Sequence, residues 1–477
     1  NNTLTHQFHK GITRICITMA VNGLCFGNQH LRHNLTIIGK EFFISVHQNA
    51  LTYGSSASKT ENAYDGLGRL STRKVYVNGS AYTTAYAYAP GAESGQTTAL
   101  VQEITQPGEN HSYAYDNVGN IVSAARNGVT ITYAYDALGQ LIRVNDPNDG
   151  TWTYEYDCGG NILSKKKYAY TTGTPGTVQQ IVSYAYGDAD WKDKLTRYNG
   201  VDIAYDAIGN PIHDGVWTYT WENGRQLRRM ACDATIAEFV YNADGLRVQK
   251  TVNGVATNYT LHGKNIVHMT KGNAELHFWY DAQNRPALVE FNGTKYGYLY
   301  NLQGDVIGLI DSANTEVVKY TYDAWGKPLS VTGSLANTIG YYNPFRYRGY
   351  VYDVETGLYY LRSRYYNPSW GRSLSTDYLL AKIGDKYAGN LFAYAHNAPI
   401  ARADSDGTDS YYVIYDARPN ATKEETNNKG LKMQGEWAIA ELESAGHQVT
   451  GGTFTTIPEF IGAWNKAGEY QYDYIII

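Results

Sequence analysis

Cysteine is nearly absent: the 477 residues hold four, and Cys16, Cys25, Cys158 and Cys232 are scattered with no Cys-x-x-Cys pair among them. They are too few for the disulfide framework of a small secreted scaffold and lack the spacing of a zinc site, which leaves buried or partly exposed thiols. No run of about 18 apolar residues occurs, so a transmembrane helix is excluded. Neither charge sign dominates: 40 Lys and Arg stand against 45 Asp and Glu, a net charge of -5 without a basic stripe, and the repeat region therefore carries no nucleic-acid footprint. Phosphate loops, zinc motifs and Gly-x-Ser-x-Gly elbows are missing too, so no cofactor and no metal is expected. The early histidines His6, His9, His30, His33 and His47 lack metal-motif spacing and read as solvated loop residues. The chain opens on Asn1 without an initiator Met or a signal-peptide layout and closes on Ile475-Ile-Ile477 without a stop signal, the expectation being an internal piece of a longer protein.

Tyrosine, by contrast, is abundant, with 45 residues against 11 Phe. A ring with a wet tip suits half-buried strand positions, so the excess predicts large sheet surfaces facing water on at least one side. With 43% apolar and 18% charged residues the chain is folded, and its length calls for several domains or a repeat.

A repeat is present. Tyr-Asp-x-x-Gly recurs as Tyr64-Asp-Gly-Leu-Gly68, Tyr115-Asp-Asn-Val-Gly119, Tyr135-Asp-Ala-Leu-Gly139, Tyr156-Asp-Cys-Gly-Gly160, Tyr205-Asp-Ala-Ile-Gly209 and Tyr322-Asp-Ala-Trp-Gly326. Near copies are Tyr241-Asn-Ala-Asp-Gly245, Tyr280-Asp-Ala-Gln-Asn284 and Tyr300-Asn-Leu-Gln-Gly304. Asp or Asn at the first turn position can accept a hydrogen bond from the backbone two residues on, and Gly three residues later supplies the positive φ that closes a hairpin. The flanks alternate as strands do, for example Ser112-Tyr-Ala-Tyr115 and Ile121-Val-Ser123. Each unit is thus a β-hairpin, and hairpins that cannot bury enough surface alone must pair edge to edge into one long, twisting sheet. Ala89-Pro-Gly-Ala-Glu-Ser-Gly95 and Thr171-Thr-Gly-Thr-Pro-Gly176 read as loops.

Downstream, five further motifs follow in order: Tyr320-Thr-Tyr-Asp-Ala-Trp-Gly326, Asn343-Pro-Phe-Arg-Tyr-Arg-Gly349, Tyr352-Asp-Val-Glu-Thr-Gly-Leu-Tyr-Tyr-Leu-Arg362, Arg364-Tyr-Tyr-Asn-Pro-Ser-Trp-Gly-Arg372 and Asn397-Ala-Pro-Ile-Ala-Arg-Ala-Asp-Ser-Asp-Gly407. Together they resemble the RHS-repeat-associated core of the bacterial RHS and YD-repeat shell proteins. That resemblance implies a mainly β chain: a YD-repeat hairpin spiral forming a hollow shell, closed by the core and followed by a small, truncated α/β module. The expected divisions are an unassigned segment at 1–55, the repeat shell at 56–319, the core at 320–407 and the variable module at 408–477.

In RHS shells and in the C component of ABC toxin complexes, the core acts as an aspartyl self-protease that frees the segment behind it. Two carboxylates that share one proton can do this, one activating water and the other polarising the peptide carbonyl. The resemblance puts the pair on Asp377 and Asp404, with Arg372 and Arg402 as candidate supports and cleavage after Gly407 or Thr408. The family's Asp-Pro-x-Gly motifs are incomplete here: Tyr follows Asp377, Ser follows Asp404, and Asp406 adds a third carboxylate. Turn-capping aspartates are the competing reading.

Beyond Gly407 the repeats stop and helical periodicity begins. Tyr411 to Tyr415, Gln448 to Phe454 and Tyr472 to Ile477 read as strands, with helices from Gly430 to Ala445 and Ile457 to Lys466, an alternation that predicts a parallel α/β sheet. In the resembled family this position holds a polymorphic toxin. The order of elements loosely resembles a caspase-like peptidase, and His447 reads as structural. The expected function is a secreted or surface-delivered bacterial shell around its own C-terminal segment, with an immunity protein and delivery machinery as partners. The alternative is a non-enzymatic adhesin, as in the related animal teneurins, whose glycan-binding rings would be sought near Trp217 and Trp221.

Overall fold

The computed structural model describes residues 16–19, 32–36, 45–377, 390–404, 407 and 411–412. Among them two antiparallel sheets take up the repeats, each with its strands in strict chain order. Sixteen strands run from Cys16–Met19 to Val201–Asp202 and fourteen from Ala204–Tyr205 to Pro328–Thr332. The segment before the first Tyr-Asp unit belongs to this ladder as well, since Ser45–Tyr53 pairs with Ser55–Tyr64 and carries Arg32–Thr36 on its other edge.

The Tyr-Asp unit forms its turn by local chemistry. In the copy at Tyr115, Asp116 Oδ1 accepts from the N–H groups of Val118 at 3.0 Å and Asn120 at 2.8 Å, while Gly119 N–H donates to the Asp116 carbonyl. Gly119 sits at φ +88°, the left-handed conformation this turn needs, and Asn284 supplies it at φ +58° in the copy that lacks glycine. The opposite ends of many hairpins are Asn-Gly pairs, such as Asn127-Gly128 at φ +49° and +82°, a two-residue turn whose twist matches the strands. Expected loop residues Ala89 and Pro90 prolong the strand Ser80–Pro90, whereas residues 171–176 do form a loop.

Tyrosine is used differently from the expectation of a tip in water. The repeat hydroxyl reaches back across its hairpin and donates to a strand carbonyl: Tyr115 to Val101 at 2.6 Å, Tyr135 to Ile121 at 2.7 Å, Tyr156 to Leu141 at 2.6 Å, Tyr241 to Leu227 and Tyr280 to Ile266 at 2.8 Å, and Tyr300 to Pro286 at 2.6 Å. Each acceptor sits at the register shift of the preceding hairpin, Val101 opposite Tyr88, Ile121 opposite Tyr115, Leu141 opposite Tyr135, Leu227 opposite Trp221, Ile266 opposite Leu261 and Pro286 opposite Tyr280, which is where a ladder leaves a carbonyl in need of a donor. Phenylalanine would fill the space and leave that carbonyl unpaired, which explains the ratio of Tyr to Phe.

The second sheet comes round onto the beginning of the first. Strands Pro286–Phe291, Thr294–Tyr300 and Val306–Ile310 are buried on both faces. One face supplies Val289, Tyr298, Val306 and Leu309 to the main core; the other supplies Leu288, Leu299, Ile307 and Ile310 to a second core with Leu51, Tyr53, Val75, Val77 and Tyr82. Each such aliphatic side chain contributes about 1.5–3 kcal/mol by leaving water. Gly297 permits the approach, because a β-carbon there would lie 3.0 Å from Ile310 Cγ1 and 3.2 Å from Val75 Cγ1. A buried ion pair between Arg73 and Asp281 ties the same two regions together.

A four-stranded sheet, Val351–Asp353, Leu358–Tyr360, Tyr365–Asn367 and Arg372–Ser373, makes the centre of the core region and grips both large sheets. Toward the second sheet, Arg247 forms a bidentate pair with Asp353 at 2.6 and 3.0 Å, Lys250 joins Asp353 at 3.0 Å and Glu355 at 2.6 Å, and Lys271 joins Glu355 at 2.7 Å. Toward the first, Tyr184 OH donates to the Trp370 carbonyl at 3.0 Å and Asn397 Nδ2 to Gln140 Oε1 at 2.9 Å.

The chain divides into residues 1–417 and 418–477, and the latter lie outside the described residues, as do the expected helices, the later strands and His447. Of the first expected strand of the α/β module, Tyr411–Tyr412 is described, and it pairs antiparallel with Arg402–Ala403 of the core.

Candidate active site

The segments bearing Asp377 and Asp404 are 27 positions apart in sequence, yet they meet at one guanidinium, that of Arg364. Arg364 follows a tight connection after the strand Leu358–Tyr360: Ser363 N–H donates to the Leu361 carbonyl, and Leu361 N–H to the Arg364 carbonyl, both at 2.9 Å. Arg362, at φ +68°, makes the reversal. Asp377 lies on the segment that leaves the strand Arg372–Ser373, fixed by Ser373 N–H on the Phe392 carbonyl and Asp377 N–H on the Leu391 carbonyl, both at 3.0 Å. Asp404 follows the short strand Arg402–Ala403, whose approach is set by three consecutive left-handed residues, Ala395, His396 and Asn397. Asn397 is in turn anchored on the first sheet at Gln140.

Arg364 Nη2 lies 3.0 Å from Asp377 Oδ2 and 2.8 Å from Asp404 Oδ2. Those distances laid end to end put the two carboxylate oxygens no more than 5.8 Å apart. The side chains of Arg364, Asp377 and Asp404 are 6%, 11% and 2% exposed, so water screens their interactions weakly. Asp404 Oδ1 also accepts the Gly407 N–H at 2.8 Å, and its own N–H donates to Tyr350 OH at 2.9 Å. Burial and the neighbouring Asp404 charge push the Tyr350 phenol well above its ordinary value, so it stays a neutral hydroxyl. Arg364 Nη1 donates to the Leu391 carbonyl at 3.1 Å.

The backbone at Gly407 is seated against the same loop. At φ +86° it is left-handed, and a β-carbon there would land on Ser363 Oγ and within 2.9 Å of the Leu361 carbonyl and 3.0 Å of the Arg364 nitrogen. Glycine is therefore what lets the chain leave the core beside the carboxylates. Thr408 and Asp406 lie outside the described residues. Among the described residues, the buried hydroxyls of Ser373, Ser375 and Thr376 on the segment leading into Asp377 meet no hydrogen-bond partner.

Of the two candidate arginines, Arg372 is directed to the first sheet. Arg372 Nη1 donates to Tyr186 OH at 2.6 Å and Nη2 to the Asp193 carbonyl at 2.5 Å, with the guanidinium over the rings of Tyr186 and Phe392, which fastens the core to the first sheet. Arg402 Nη1 meets His396 Nδ1 at 2.5 Å. Among the described residues Arg364 is a cation that joins the pair, and sequence reasoning missed it although it opens the Arg364-Tyr-Tyr-Asn-Pro motif. Trp217 and Trp221 pack against the main core, and Trp221 Nε1 donates to the Pro211 carbonyl at 2.7 Å.

Hairpins in sequence order, a sheet that overlies its own start and a core fastened to both sheets define the wall of a YD-repeat β shell. A family model described as Teneurin YD-shell matches residues 124–400, and the chain belongs to that family. It is 36% identical over 287 residues to the tRNA3(Ser)-specific nuclease WapA of Bacillus spizizenii, covering 59% of this chain and 12% of that protein. It is 25% identical over 355 residues to Toxin protein Tse5 of Pseudomonas aeruginosa, covering 62% and 26%. Among solved structures, TcdB2-TccC3-Cdc42 superposes with a TM-score of 0.55 at 18% identity, over 83% of this chain and 24% of that one. The chain thus spans about a quarter or less of these relatives.

Proposed function

We propose that this chain is the wall and closing core of a toxin shell, and that Asp377 and Asp404 cut the chain just after the core to free the segment behind it. The carrying observation is the meeting of both carboxylates on Arg364, with Gly407 held beside them by Asp404. In the reaction, water adds to the carbonyl carbon of Gly407 or Thr408. An ionised carboxylate takes the water's proton, and its protonated partner hydrogen-bonds the carbonyl oxygen. The C–N bond then breaks, the leaving amine takes up a proton, and the products are a new carboxylate and a new amino terminus. Arg364 offsets the charge that two buried carboxylates would otherwise bring against each other. The freed segment is the enclosed cargo, in keeping with relatives named as toxins, and its activity would be silenced in the producer by an immunity protein. Export by a delivery machinery to a secreted or cell-surface location fits the same reading, and no helix among the described residues is long and apolar enough to cross a membrane.

Native size exclusion followed by denaturing electrophoresis tests the proposal. One native peak that separates into two chains in denaturant is expected. A single intact chain under both conditions would refute the cut, and two separate native peaks would refute enclosure.

A further inference from the structure

We propose that His268, Glu275 and His277 form a binding site for a divalent transition-metal cation of the zinc class on the second sheet. The site is a product of strand register. His268 on the strand Asn265–Lys271 stands directly opposite His277 on the strand Ala274–Tyr280, and Glu275 lies two residues before His277, on the same face. The burial pattern confirms the face: Ala274, Leu276 and Phe278 are buried, whereas Glu275 is exposed and His277 half-exposed. The two imidazoles stack with centroids 4.5 Å apart and planes at 21°.

Both rings turn the same nitrogen toward one carboxylate oxygen. Glu275 Oε1 lies 3.0 Å from His268 Nε2 and 3.4 Å from His277 Nε2, and one ligand atom from each residue falls within 4.8 Å of the others. Around a tetrahedral zinc ion with bonds of about 2.0–2.2 Å, ligand atoms stand roughly 3.3–3.5 Å from one another, a spacing the two histidines reach on one ion once their rings rotate out of the stack to turn both Nε2 lone pairs on it. Two imidazoles and a carboxylate are the donor types that favour zinc and copper over magnesium or calcium. Opposite His277 on the next strand is Glu290, whose carboxylate lies 4.0 Å from Lys295, leaving three protein ligands and an open fourth position for water. A metal here would cross-link neighbouring strands of one hairpin. The cluster was illegible in the sequence because His268 and His277, nine positions apart, become neighbours only through pairing.

Isothermal titration of Zn²⁺ into the whole chain, untagged and stripped with chelator, tests the site. His268→Ala, His277→Ala and Glu275→Gln serve as comparisons, with circular dichroism to establish that each surface variant is folded. The wild type should bind one equivalent that both histidine variants lose, and a metal-dependent rise in melting temperature should vanish with it. Glu275→Gln should bind at least roughly tenfold more weakly. Absence of binding at micromolar zinc, or an equivalent kept by both folded histidine variants, would overturn the proposal.

Discussion

In an Asp353→Ala variant, the guanidinium of Arg247 and the ammonium of Lys250 lose the carboxylate they share while remaining sealed under the core. Arg247 and Asp353 are 1% and 0% exposed, and the pair joins the second sheet to the core sheet. Burial works against both charges, yet Asp353 raises the Arg247 guanidinium well above its ordinary value, and Arg247 and Lys250 hold the Asp353 carboxyl below the usual carboxylate range. Removing one member of such a pair leaves an uncompensated buried charge and costs about 3–5 kcal/mol, whereas replacing both by apolar residues of similar volume is near neutral. Urea unfolding followed by tryptophan fluorescence should therefore give a large loss for Asp353→Ala and recovery of most of it in the Arg247→Met, Asp353→Leu double variant. Because the folded carboxyl is depressed, its contribution is fully present above about pH 4 and is lost as pH falls further, so wild type and Asp353→Asn should converge on acidification. A loss below about 1 kcal/mol, or a double variant no better than the single, would refute the reasoning.

Tyr135→Phe should cost about 1–2 kcal/mol in the same unfolding assay, because the Ile121 carbonyl loses its donor while the ring packing is kept. At Glu109, burial alone would raise the carboxyl, but the contacts with His111 and the Arg126 guanidinium outweigh it and hold it at about 2. The stability this gives is present above about pH 4 and is lost as pH falls toward 2, so between those values wild type should lose more stability than Glu109→Gln. Gly407→Ala should leave the shell folded and slow the cut, read from the ratio of cut to intact chain over time, because its β-carbon collides with the loop carrying Arg364.

The hairpins were legible because their causes lie within five residues: an Asp that caps its own turn and a Gly at positive φ can be read wherever they occur. The use of the repeat tyrosines was not, since the acceptor of Tyr135, Ile121, sits 14 residues back at the register shift opposite Tyr115, in the preceding hairpin. Asp377 and Asp404 were named through the resemblance, and their meeting depends on two loops that chain order does not relate. Arg372 and Arg402 were the arginines read as supports, and nothing in chain order marks the Arg364 guanidinium as the one that reaches both carboxylates. Arg372 stands closer to Asp377 in sequence and is directed to Tyr186 instead. The overlap of Val75 and Tyr82 with Leu288 and Ile307 likewise follows from how far the sheet curls, a sum of many small twists that no single residue encodes.

The most direct test of the central claim is intact-mass spectrometry of the purified chain beside Asp377→Asn and Asp404→Asn. The wild type should give two masses, the smaller beginning at Thr408 or Asp409, and each variant a single full-length mass. One uncut mass in all three proteins, or the same cut in both variants, would contradict it.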